Sequence, residues 1–74
     1  MAELIEINRE PVELYKILKF YGLVGSGGEA KRIIDAGLVK VNQQAEMRKR
    51  RKMLAGDQIE FDSRLFELVL RGSN

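Results

Sequence analysis

The spacing of apolar residues changes at Gly37, and this change decides the fold class. Between residues 14 and 21, apolar side chains recur at intervals of three and four, the spacing of one helix face. After Gly37, Val39 and Val41 alternate with polar residues, the spacing of a half-buried strand. The sequence therefore predicts an α+β fold, in which a helical hairpin packs on a small, mostly antiparallel β-sheet.

Helix boundaries are indicated by proline, glycine and capping residues. Pro11 fits the first turn of the first helix, and Gly22 follows its last periodic residue. Ser26 and Glu29 have the capping-box spacing that opens a second helix, and Gly37 ends it.

Strands are expected before the helical hairpin and after it in the chain. Residues 4–7, 38–42, 58–61 and 65–70 are rich in β-prone apolar residues, and turn residues occupy 42–44 and 55–57. Asp57, next to Gly56, is interpreted as a turn residue rather than as a catalytic acid.

The charged residues are distributed unevenly along the chain. The 74 residues contain 13 Lys and Arg and 11 Asp and Glu, a formal net charge of +2. Residues 31–52 alone contain eight cations and two carboxylates, a net charge of +6. The remaining residues sum to −4, so a nearly neutral protein has one concentrated positive region.

The strongest functional feature is a run of five consecutive cations from Arg48 to Lys52. We expect this run to gain little from the protein's own core and to be neutralised by a polyanion, such as nucleic acid. On this expectation, replacing Arg48, Arg50 and Arg51 by Ala weakens binding and leaves the fold intact. The predicted nucleic-acid-binding residues are Lys31, Arg32, Lys40, Arg48, Lys49, Arg50, Arg51 and Lys52.

The loop before the second helix is a weaker candidate for binding. Ser26, Gly27 and Gly28 could present backbone N–H groups to a phosphate at the positive end of the helix. A capped helix and a tight turn would also explain these residues. The loop lacks the Lys and Ser or Thr that follow the glycines of a P-loop.

Few aromatic residues are present, and none lies within the basic run. Tyr21, Phe61 and Phe66 are expected to pack in the core. The sequence therefore favours contacts to the backbone and shape of a folded RNA over stacking on unpaired bases.

Several functional classes lose support. The chain has no Cys and no His, which removes thiolate chemistry and the commonest general base and metal ligand. No catalytic motif is evident, so we expect no enzyme activity, cofactor, metal or small-molecule substrate.

No apolar stretch approaches the length of a membrane span, and the first residues do not resemble a secretory signal. We expect one cytoplasmic RNA-binding domain over residues 1–74.

A family resemblance covers roughly residues 11–62. Gly37-x-Val39-x-Val41-Asn42, followed by Gly56-Asp57-x-Ile59, resembles the αL RNA-binding motif, the domain named after the fourth protein of the small ribosomal subunit. The chain is most similar to the small stand-alone bacterial members of that family.

The resemblance implies binding of structured RNA, such as ribosomal or transfer RNA, with the ribosomal subunit as a candidate partner. It implies a surface formed by the second helix and the following β-hairpin, which carry the eight predicted cations. Many members of the family have Arg directly after the Ser at the helix start. This sequence has Gly27 there, so backbone contact would replace a side-chain contact.

Two other functions remain open at this point. The basic region could dock on an acidic protein in a ribosome-assembly complex. Residues 12–36 could also form a helix-turn-helix for duplex DNA, although the second helix offers only Lys31 and Arg32 as cations and no Asn or Gln for adenine.

Overall fold

The computed structural model describes residues 2–72 and contains two helices and seven strands in that range. In chain order the elements are β1 (Glu3–Ile7), β2 (Val12–Glu13), α1 (Leu14–Phe20), α2 (Gly27–Asp35), β3 (Lys40–Val41), β4 (Gln44–Ala45), β5 (Lys52–Met53), β6 (Gln58–Phe61) and β7 (Arg64–Leu70). The predicted α+β class is confirmed.

Five strands form one sheet, in the order β1-β7-β6-β3-β4. The pairing of β1 with β7 is parallel, and the other pairs in this sheet are antiparallel. Strands β2 and β5 pair separately, with Val12 opposite Met53 and Glu13 opposite Lys52. The sheet is thus mostly antiparallel, as predicted.

The two helices pack against one face of the main sheet. The core contains Leu14, Ile17 and Leu18 of α1 and Ala30 and Ile34 of α2, all of them fully buried. On the sheet, the buried residues of β1 and β7 alternate with exposed or half-buried ones, because successive side chains point to opposite faces. The second face of the sheet therefore lies away from the helices.

The first helix begins later than the sequence predicts. Pro11 follows a cis peptide bond and precedes β2, so the prediction that it lies in the first helical turn is wrong. Glu13, at the N-cap of α1, makes no side-chain capping bond. Instead, the N–H groups of Leu14 and Tyr15 donate to the carbonyl oxygens of Arg51 and Lys49, each at 3.0 Å.

The second helix begins where predicted. The hydroxyl of Ser26 accepts a hydrogen bond from the N–H of Glu29 at 3.1 Å. The carboxylate of Glu29 accepts from the N–H of Gly25 at 2.8 Å, rather than from that of Ser26 as in a standard capping box. Gly37 follows the helix with φ of +77°, a left-handed conformation that favours glycine.

Residues of the αL-like motif connect two turns. Asp57 accepts hydrogen bonds from the N–H of Leu54 at 2.8 Å and from the side-chain amide of Asn42 at 3.1 Å. The side chain of Asn42 in turn accepts from the N–H of Gln58 at 2.9 Å. The interpretation of Asp57 as a turn residue is confirmed.

The aromatic residues divide between the core and the surface. Phe66 is buried and Phe61 packs partly against the core, as expected. The prediction for Tyr21 is wrong, because its side chain is 40% exposed. Its hydroxyl group reaches the edge of the sheet and donates to the carbonyl oxygen of Glu6.

Candidate nucleic-acid interface

The basic run is anchored to the core at both ends. Glu46 precedes the run and Met53 follows it, and their exposed fractions are only 7% and 0%. The five cations themselves are exposed or half-buried, in agreement with the expectation that they gain little from the core, but the residues on either side hold the run against it. We call residues 48–51, which form a turn closed by a bond from the N–H of Arg51 to the carbonyl oxygen of Arg48, the basic turn.

Glu46 holds the basic turn through its two arginines. Its Oε2 accepts from the backbone N–H of Arg48 at 2.9 Å and from Arg48 Nε at 3.0 Å. Its Oε1 accepts from Arg48 Nη2 at 3.0 Å and from Arg51 Nη1 at 2.8 Å. The hydrogen bonds from Arg48, followed by those from Arg51, outweigh the effect of burial and lower the pKa of Glu46 to about 2.

These contacts change the expected effect of substitutions in the run. Removal of Arg48 or Arg51 leaves the buried carboxylate of Glu46 with fewer partners, which is costly at low exposure. The expectation that Ala substitutions at both positions leave the fold intact is therefore not supported by the geometry.

The main chain of the basic turn fixes its position beside the helices. The carbonyl oxygens of Lys49 and Arg51 accept from the first two N–H groups of α1, which have no acceptors within the helix. The negative ends of these carbonyl dipoles also suit the positive end of the helix dipole. The basic turn is thus a rigid extension of α1.

The side chain of Lys49 brings α2 into the same surface. Its Nζ lies 3.0 Å from Oδ2 of Asp35, which is one helical turn after Lys31. The Nζ of Lys31 lies 4.7 Å from the ring centroid of Tyr15, within the range of a cation–π contact. The structure therefore brings Lys31, Lys49 and the start of α1 together.

Arg50 and Lys52 complete this side of the molecule. Arg50 is exposed at the tip of the basic turn and forms no ion pair with any residue between 2 and 72. The Nζ of Lys52 lies 3.7 Å from Glu13, at the start of α1. Arg32 is also exposed, on the face of α2 opposite its buried residues.

Lys40 does not join this surface. Lys40 is the first residue of β3, and its two neighbours in the chain, Val39 and Val41, are buried. Its side chain therefore projects from the sheet face opposite the helices. Its neighbour in register on β6 is Glu60. The eight predicted cations are therefore divided, with Lys40 on a different side from the others.

The start of α2 already has a negative group beside it. The Glu29 carboxylate bonds to the N–H of Gly25, immediately before the Ser26, Gly27 and Gly28 amides predicted to contact phosphate. The aliphatic chain of Lys19 lies 3.6 Å from the position that a Cβ on Gly27 would take. The chain of Lys19 thus packs against Gly27, while its ammonium group lies over the ring of Phe20, 5.5 Å from the centroid.

Sequence reasoning missed Glu46 and Lys19 as contributors to this surface. A single carboxylate two residues before Arg48 and five before Arg51 is a usable indication of an arginine-binding acid. The position of Lys19 depends on how the two helices pack, so no local pattern could have shown it.

Two further observations concern ligands and membranes. Within the described part of the chain, no group of three or more carboxylates could hold a metal ion. Neither α1 nor α2 has the length and apolar character required to cross a membrane.

The fold and the arginine-rich turn define a class of small α+β domains with a basic surface beside a helical hairpin. The S4 domain model matches residues 5–69, and the chain belongs to the S4 domain family.

Two curated relatives are similar over most of their length. The Escherichia coli protein named "Putative RNA-binding protein YbcJ" is 41% identical over 58 residues, which cover 78% of this chain and 83% of that protein. The Bacillus subtilis protein named "Probable ribosome maturation protein RlbA" is 36% identical over 62 residues, covering 84% of this chain and 87% of that protein.

A solved structure supports the same assignment. The solution structure of YbcJ from Escherichia coli, described as revealing an αL motif involved in RNA binding, superimposes with a TM-score of 0.69. The match has 36% sequence identity and covers 93% of this chain and 89% of YbcJ. The αL resemblance seen in the sequence is confirmed.

Proposed function

We propose that this protein binds structured RNA through the basic turn and α2, and that it acts without catalysis or a cofactor. The observation that carries the proposal is the fixed position of the basic turn. Main-chain bonds to α1 and the Glu46 contacts hold the turn, while Arg50 is exposed and Lys49 pairs with Asp35 of α2. Cations held in place in this way can contact phosphates without a large cost for ordering the loop.

Ribosomal RNA is the proposed target, with transfer RNA as the alternative. The relative named as a ribosome maturation protein and the name of the RNA-binding relative support this choice. A role on a ribosomal subunit would place the protein in the cytoplasm, acting as one RNA-binding domain over residues 1–74. Co-sedimentation with ribosomal subunits from lysate, before and after ribonuclease treatment, tests the target and separates RNA binding from docking on an acidic protein.

The proposed surface predicts a position-dependent effect of removing one cation. Binding of a ribosomal RNA hairpin is measured by fluorescence anisotropy over a series of salt concentrations. If four to six phosphates are neutralised, the slope of log K against log salt is about −3 to −5. Arg50→Ala should weaken binding and reduce the slope by about one, because Arg50 has no described internal partner.

Lys40→Ala is the matched control, since it removes the same charge from the opposite face of the sheet. This variant should bind the hairpin almost as tightly as the unmodified protein. Equal losses for Arg50→Ala and Lys40→Ala would show that net charge alone matters and would contradict the proposed surface. Binding that does not depend on salt would contradict the phosphate contacts altogether.

A further inference from the structure

A groove of about 510 Å³ lies beside the outer surface of α1, next to the segment that joins β1 to β2. The groove is large enough for one nucleotide. It is lined by Ile7, Asn8, Arg9, Val12, Lys16, Phe20 and Tyr21.

Two aromatic rings lie at the end of α1 in this groove. Phe20 is 67% exposed, although removal of a phenyl side chain from water is favourable. Tyr21 is adjacent, and the hydrogen bond from its hydroxyl to Glu6 restricts the orientation of its ring. The groove therefore presents flat apolar surface that the described residues leave uncovered.

The polar residues around these rings suit a nucleotide. Arg9 and Lys16 belong to the lining, Arg9 forms no ion pair with any residue between 2 and 72, and Lys16 is paired with Glu13 at 3.6 Å. The Nζ of Lys19 lies 5.5 Å from the centroid of the Phe20 ring. Asn8 adds a side-chain amide, which can both donate to and accept from the edge of a base.

The groove is also connected to the proposed RNA surface. The carboxylate of Glu13 lies 3.6 Å from Nζ of Lys16 at the groove and 3.7 Å from Nζ of Lys52, next to the basic turn. Lys16 and Lys52 therefore lie on either side of one carboxylate, which places the groove next to the basic turn. This continuity favours RNA over an unrelated small molecule as the occupant.

We propose that the groove binds one unpaired nucleobase of the RNA, stacked on Phe20, with the adjoining phosphates near Arg9, Lys16 and Lys19. This inference rests on the proposed function, because the paired part of the same RNA lies on the basic turn. It differs from the sequence-based expectation that only the backbone and shape of a folded RNA are contacted.

The test compares two RNA hairpins of identical stem and loop, one blunt and one with a five-nucleotide single-stranded 3′ overhang. The overhang carries 2-aminopurine, whose fluorescence falls when it stacks on an aromatic ring. The unmodified protein should bind the overhang hairpin more tightly and quench the probe. Phe20→Ala should weaken binding of that hairpin by about 5- to 150-fold, abolish the quenching and leave the blunt hairpin unaffected.

Phe20→Leu and Phe20→Trp are the matched variants, because Phe20 is exposed and neither change disturbs the core. Trp should retain the preference for the overhang, and Leu should lose it. If Phe20→Leu behaves like the unmodified protein, the groove accepts any apolar group, as a protein partner would require, and stacking is refuted.

If both hairpins bind equally to all variants, the groove proposal fails while RNA binding stands. If neither hairpin binds the unmodified protein, the proposed function fails and the groove proposal fails with it.

Discussion

The contacts of Glu46 predict a specific loss of stability in acid. The pKa of Glu46 falls from the ordinary 4.5 to about 2 because Arg48 and Arg51 bond to its charged form. A shift of this size corresponds to a ceiling of about 3.4 kcal/mol, from 1.36 kcal/mol per pH unit. The side chain of Arg48 is 73% exposed, so solvent screens its share, and we expect about 1–2 kcal/mol.

The sign follows from the direction of the shift. A carboxyl group with a lowered pKa in the folded state stabilises the fold above its unfolded pKa, near 4.5, and loses that contribution as pH falls towards 2. Glu46→Gln cannot ionise, so it should be less stable than the unmodified protein at pH 7 by about 1–2 kcal/mol. The difference should decrease steadily as the pH falls from 4.5 to 2, where about half of the Glu46 carboxyl groups are protonated in the folded state.

Urea denaturation followed by far-ultraviolet circular dichroism, at several pH values between 2 and 7, measures this difference. Glu3→Gln is the control, because Glu3 and Arg64 form a comparable carboxylate–guanidinium pair whose side chains are about half exposed. That variant should change stability little. If the Glu46→Gln difference is absent at pH 7, or stays constant down to pH 2, the argument that Glu46 holds the basic turn is refuted.

Two other substitutions test how the functional surface is supported. Met53→Ala should destabilise the protein by about 2–5 kcal/mol in thermal or urea unfolding, because its side chain is fully buried at the end of the basic run; an effect below about 0.5 kcal/mol would show that the run is not anchored there. Ser26→Ala should cost about 0.5–2 kcal/mol through loss of the bond from the Glu29 N–H, whereas Ser26→Asp, which preserves an acceptor, should cost less; equal losses for the two variants would exclude the capping role.

The regular elements could be predicted because burial leaves a period in the sequence. The isoleucines of residues 4–7, the alternating Val39 and Val41, and the helical spacing from 14 to 18 all mark residues that are buried. The caps of α2 were also visible, since Ser26 and Gly37 have side-chain properties that suit only a few backbone positions. The prediction that Pro11 lies in the first turn of a helix was wrong because the fixed φ of proline suits an extended segment before a strand as well as a helix start.

The support of the candidate site was harder to predict because much of it is made by the main chain. A carbonyl oxygen of Lys49 or Arg51 that accepts from α1 has the same chemistry at every residue, so no sequence pattern indicates it. Nothing in the sequence near Glu46 indicates that this residue is buried, because its burial depends on the path of the folded chain. The separate position of Lys40 could be predicted from the sequence, since a residue between two buried valines must point away from the helices.

The main-chain contact between the basic turn and α1 separates architecture from recognition. The two bonds that dock the turn use carbonyl oxygens, which every amino acid supplies, so the side chains at positions 49 and 50 can change without removing them. Substitution at Arg50 would therefore change the charge of the proposed RNA surface while the same scaffold persists, whereas substitution at Lys49 would also remove its ion pair with Asp35. Arg48 and Arg51 lack this freedom, because Glu46 requires their guanidinium groups. Arg50 is thus the position of the basic turn that the scaffold constrains least.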